Sequence, residues 1–126
     1  MGLTNAGRNQ FAASIVGETT LDFNNANAYI GAGNSSGAFA ASQVDLQGGS
    51  TQRKGMDATY PTRAANVLVF RATFATNEAN FQWLEWGVFN GTSATGTMLN
   101  RAIESLGTKT SAQSWQITST LTLNAA

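Results

Sequence analysis

Cysteine and histidine are both absent from this 126-residue chain, and the two absences together close most of the common routes to chemistry. Without cysteine there is no disulfide framework, no thiolate nucleophile and no thiolate-held metal, and the redox compartment leaves no trace in the sequence. Without histidine there is no Ser-His-Asp or Cys-His nucleophile, and the commonest zinc ligand is missing. Charge is also scarce. Asp, Glu, Lys and Arg make up 11% of the residues, against about a quarter in ordinary soluble domains, so the surface is weakly defended against association.

The seven basic and seven acidic side chains cancel. Arg8, Arg53, Lys54, Arg63, Arg71, Arg101 and Lys109 are dispersed, with Arg53-Lys54 the one adjacent pair. Phosphate binding rests on clustered cations that release counterions, so no nucleic-acid partner is expected, and Arg53-Lys54 reads as part of a solvated loop. The N-terminus lacks the apolar run of a signal peptide, and no stretch approaches the roughly eighteen apolar residues of a membrane helix, so no membrane partner is expected. Asn34-Ser35-Ser36 and Asn90-Gly91-Thr92 match the glycosylation sequon and are read as chance matches.

The length suits one domain with a single core. Thr4 or Asn5 can cap a helix over about 4–16, with Phe11 and Ile15 four apart on its inward side, Leu3 and Ala12 beside them, and Gly17 as its stop. LDFNNANAYIGAG alternates around Ala28, Ile30 and Ala32 and runs into Gly33-Asn34-Ser35-Ser36-Gly37, the pattern of a strand entering a hairpin turn. Ser42 can cap one helical turn before Gly48 and Gly49. From about 48 to 65 there is no sustained periodicity, which predicts a long loop ordered by a partner. Its lone proline, Pro61, biases Tyr60 toward extended backbone.

Strand signals dominate the rest. NVLVFRATF places Leu68, Phe70, Ala72 and Phe74 on one face, TMLNRAIES continues the pattern, and SWQITSTLTL sets Trp115, Ile117, Leu121 and Leu123 against Gln116, Thr118, Thr120 and Thr122. The expected fold is mainly β: an antiparallel sheet or small β-sandwich of about five to seven strands with one N-terminal α-helix across it.

FQWLEWGVFN, residues 81–90, is the densest aromatic stretch. Strict alternation sends Phe81, Trp83 and Phe89 to one face and Leu84, Trp86 and Val88 to the other, so both faces need a cover. Trp83, Trp86 and Phe89 are assigned to core or to a subunit interface. Glu85 sits among them. Desolvation there could raise its pKa toward a general-acid role; the alternative is an ion pair with Arg71 or Arg101 from a neighbouring strand. Asp22, Asn24, Asn25 and Asp45 could supply oxygens to calcium, but their spacing fits no known loop. IGAGNSSG lacks the order and ending of a phosphate-binding turn. No catalytic residue, metal or cofactor is assigned.

LTNAGRNQFAASIVGE, FNNANAYIGAG with its I-G-x-G ending, the DATYPTR loop and EWGVFNGTSATGTMLNR together resemble short structural proteins of tailed-bacteriophage virions. More distantly, the layout is similar to the N-terminal domain of phage tail-collar fibre proteins, where an opening helix is followed by an I-x-V-G strand and an E-x-G-x-F strand. The resemblance implies a non-enzymatic virion protein, assembled in the bacterial host cytoplasm, whose partners are its own copies and the major capsid protein or tail proteins. Fibre proteins continue into a shaft, whereas this chain stops at Leu121-Thr122-Leu123-Asn124-Ala125-Ala126. That departure favours a homotrimeric capsid decoration (cement) protein over a tail or baseplate adaptor. A carbohydrate-binding β module, with Trp83 or Trp86 as platform and Glu85 as acid, is a third possibility. Arg53, Lys54, Met56 and Tyr60 of the 48–65 loop, with the N-terminal segment, are the expected contact residues.

Overall fold

A computed structural model describes residues 2–18, 21–92 and 96–124. Two antiparallel sheets face one another in a β-sandwich-like arrangement, with one N-terminal helix. The larger sheet runs in the order β1 (Gly2–Leu3), β7 (Met98–Thr108), β6 (Gln82–Phe89), β2 (Tyr29–Gly33) and β3 (Thr51–Gly55). The smaller has β5 (Val67–Phe74) between β4 (Thr62–Ala64) and β8 (Trp115–Thr122). The eight strands among the described residues exceed the expected five to seven because two of them, β1 and β4, are only two and three residues long.

Helix α1 (Asn5–Ile15) starts where the sequence places it. The Thr4 hydroxyl accepts from the Gly7 N–H at 2.9 Å and also donates to the Met98 carbonyl, tying the cap to β7. Gly17, at φ +77°, ends the helix in a conformation that favours glycine. Phe11 packs on the core, but Ile15 is 84% exposed and Ala12 is also outside.

The main core lies between the sheets: Ala28 and Ile30 of the β2 region, Phe70 and Ala72 of β5, Trp86 and Val88 of β6, Leu99 and Ala102 of β7, and Leu121 of β8. The period-two reading of β5 holds, and that of β8 holds up to Leu121; Leu123, past the strand, is 45% exposed.

Strict alternation fails in β6. Trp83 pairs with Gly107 and Glu85 with Ile103, so β7 advances four positions, 107 to 103, while β6 advances two, 83 to 85. This bulge turns Trp83 inward like Trp86. It joins Ala32, Phe74 and Ala79, meeting Phe74 and Trp115 edge-on at 4.9 and 5.1 Å between ring centroids, and its indole N–H donates to the Ala79 carbonyl at 2.9 Å.

The expected hairpin after Gly33 is not formed, nor is a helical turn at Ser42. The chain instead leaves β2, runs from 34 to 50 across the outer face of the large sheet, and returns as β3 beside β2. This strap is the cover that the second face of β6 requires: Leu46 packs with Phe89 and Met98, and Tyr29 joins them. The expected 48–65 loop is likewise corrected. It contains β3 and β4, paired with β2 and β5.

Candidate functional site

The polar centre of the molecule is built on the outer face of β2, β6 and β7. Gly31 pairs with Gly87 and Gly33 with Glu85, and the absence of side chains at 31 and 33 leaves room for two large neighbours. A Cβ at 31 would stand 2.7 Å from the Phe89 ring, and one at 33 would fall on the Glu85 carboxylate. This is the physical content of the I-G-x-G and E-x-G-x-F patterns. Glycines on one strand accommodate an acid and a ring from the next.

Glu85 and Arg101 form a fully buried ion pair, Arg101 Nε donating to Glu85 Oε1 at 2.8 Å. The Gln47 N–H donates to Glu85 Oε1 at 2.9 Å, while those of Gly48 and Ser35 donate to Oε2 at 2.7 and 3.2 Å. Arg101 Nη1 donates to the Gly37 carbonyl at 2.9 Å and to Gln43 Oε1 at 3.2 Å. A carboxylate with four donors and no access to water is a structural node. Of the two readings weighed for Glu85, the ion pair is the one that the fold realises, with Arg101 and not Arg71 as the partner.

The expected contact residues are held inside the chain to differing degrees. The Arg53 guanidinium carbon lies 3.6 Å from the Phe89 ring centroid, its Nη2 meets Asp45 Oδ1 at 3.0 Å and its Nη1 donates to the Gly91 carbonyl at 2.8 Å. Lys54 donates to both Glu78 oxygens at 2.9 Å. Met56 packs against the main core. Tyr60 carries the Arg71 guanidinium 4.2 Å above its ring, and Arg71 Nε pairs with Asp57 at 2.9 Å. Trp83, Trp86 and Phe89 are 1%, 9% and 0% exposed in the single chain, so of the two roles expected for them the fold gives them the core.

The oxygens suggested for calcium do not converge. Asp45 is engaged by Arg53, Asn24 Oδ1 accepts from the Asn27 N–H, and the Asn25 amide donates to the carbonyls of Asp57 and Tyr60. Among the described residues no group of three or more His, Cys, Asp or Glu could hold a metal ion, and no helix is long and apolar enough to cross a membrane.

A groove of about 470 Å³ lies between β7 and β8, lined by Trp83, Trp86, Glu104, Leu106, Trp115 and Ile117 among others. In its lining the Trp86 indole N–H donates to Glu104 Oε1 at 3.1 Å. Trp115 is its half-buried ring. Glu85, suggested as the acid of a carbohydrate module, is fully buried in its ion pair, so a ligand in this groove would meet Glu104 and Trp115 together with Trp83 and Trp86.

Sequence reasoning missed the exposed apolar residues beside α1. Ile15, Val16 and Leu21 are 84%, 73% and 53% exposed, and Gln10 holds Leu21 near the helix by donating to its carbonyl at 3.0 Å. The helix spacing of Ile15 suggested burial, whereas among the described residues the fold sets no core residue against it. No protein-family model, curated protein or solved structure matches the chain.

Proposed function

We propose that this protein is a non-enzymatic structural protein of a tailed-bacteriophage virion, a capsid decoration protein that docks repeatedly on the head lattice and on its own copies. The observation that carries the reading is the uncovered apolar group Ile15, Val16 and Leu21 on a chain with little surface charge. The resemblance of its motifs to short virion proteins supplies the partner class. The docking surface narrows accordingly from the 48–65 and N-terminal segments to the N-terminal one, because Arg53, Lys54, Met56 and Tyr60 are engaged within the chain. Such lattices gain strength by repetition of a modest contact, and three-fold clustering of copies is the form expected on a shell.

Gel densitometry of intact virions tests the assignment: hundreds of copies per particle fit the head, whereas a few to a dozen assign the protein to the tail as an adaptor. Binding to purified empty capsids tests the surface. Ile15→Lys with Val16→Lys should abolish binding while leaving the thermal midpoint nearly unchanged, and full retention of binding would overturn the N-terminal docking surface.

A further inference from the structure

The free edge of β8 carries an inference that is independent of the virion reading. β8 pairs with β5 in an unbroken register, Val67↔Thr122 through Phe74↔Trp115, and among the described residues has no strand on its other side. The Leu123 N–H donates to the Asn66 carbonyl at 2.9 Å, one step beyond Val67↔Thr122, which fixes the phase of the ladder. Trp115, Ile117, Ser119 and Leu121 aim their backbone groups at β5, and Gln116, Thr118, Thr120 and Thr122 aim theirs outward.

This edge lacks the usual protections against pairing. β3 carries Arg53 and Lys54, β4 carries Arg63, and β1 is two residues long. The half of β7 that β1 leaves uncovered has the bulge, Glu104 and Gly107 at φ +101°. β8, WQITSTLT, has eight residues with no charge, proline or register shift. At its middle, Ser119 is 2% exposed and its hydroxyl is a buried side-chain group without a hydrogen-bond partner, an arrangement that costs free energy unless another group arrives.

We propose that two copies of the chain pair antiparallel through β8 about a two-fold axis at Ser119, joining their small sheets into one six-stranded sheet. With Ser119 on the axis, Thr118 faces Thr120 of the partner subunit and Gln116 faces Thr122 of the partner subunit, so the four outward residues form the hydrogen-bonded pairs. The same register sets Ile117 against Leu121 of the partner subunit and Trp115 against Leu123 of the partner subunit, covering the exposed Leu123. The two Ser119 residues meet at a non-hydrogen-bonded position, where Cα atoms lie about 4.5 Å apart, and rotation about χ1 turns each hydroxyl toward the other. A second copy is the fitting occupant because a two-fold partner brings a matching hydroxyl to that point and sets an equally uncharged edge against this one.

Sedimentation of the purified full chain and charge-placed variants test the pairing. The wild type should be a dimer at high micromolar concentration. Thr118→Lys with Thr120→Lys sets lysine against lysine twice across the axis and should weaken the dimer about tenfold or more. Thr118→Lys with Thr120→Glu sets opposite charges together and should restore it, which separates lost pairing from lost folding. Ser119→Ala should weaken the dimer about fivefold without lowering the stability of the monomer. A strictly monomeric or trimeric wild type, a dimer indifferent to the double lysine variant, or one indifferent to Ser119→Ala would each overturn the proposal. The Ile15 and Val16 variants should leave this dimer intact.

Discussion

Gly33 and Glu85 are direct partners in the β2–β6 ladder, and the carboxylate occupies the volume that any side chain at 33 would need. Gly33→Ala must therefore displace an acid that is held by four donors. We expect a loss of about 1–3 kcal/mol of unfolding free energy, read from denaturant midpoints; a neutral outcome would show that the node is looser than its geometry.

Separating the Glu85–Arg101 pair should cost more than removing it. Glu85→Gln leaves Arg101 buried without a counter-charge, and a loss of about 3–5 kcal/mol is expected. Joint replacement by Glu85→Gln and Arg101→Met should recover part of that loss. A double-mutant cycle on thermal or denaturant unfolding measures the difference, and additivity of the two changes would contradict a coupled pair.

Strand positions were legible wherever alternation ran against a flat neighbour. Leu68, Phe70, Ala72 and Phe74 announce β5 because each alternate side chain meets the same core. Trp83 was misplaced because its face depends on extra residues inserted in β7, a property of the partner strand. The 34–50 strap was invisible for a different reason: its backbone is ordered by the carboxylate of Glu85 and by Arg101, both distant in sequence, and such order leaves no periodicity behind. Arg53 and Lys54 looked like a solvated pair because nothing local reveals that Phe89, Asp45 and Glu78 await them.

The pH dependence of stability should show a contribution from Glu78. Its hydrogen bond to Lys54, then that to the Ala75 N–H, hold its pKa below the ordinary value of 4.5. A carboxylate depressed on folding stabilises the native state above the unfolded pKa, and that stabilisation fades as pH falls through the folded one. Lys54→Met should flatten this part of the acid limb of a midpoint-against-pH curve, and an unchanged curve would count against the assignment.

Ala65 joins β4 to β5 at φ +53°, a left-handed conformation that is costly for alanine, and it is exposed. Ala65→Gly removes a strain of about 1 kcal/mol, partly offset by the greater freedom of glycine in the unfolded chain. A small rise in melting temperature is the expected result, and a fall would show that the methyl group has a packing role.

The strap has a mechanical consequence. Both of its ends continue into neighbouring strands, β2 and β3, while its middle is fastened to β6 and β7, the latter through Arg101. A pull on residues 34–50 is therefore transmitted past β2 to the strand on which the helix cap rests. The strap acts as a clasp across four strands, and if the clasp is unfastened at Glu85 the large sheet loses its outer lining while the small sheet stays whole.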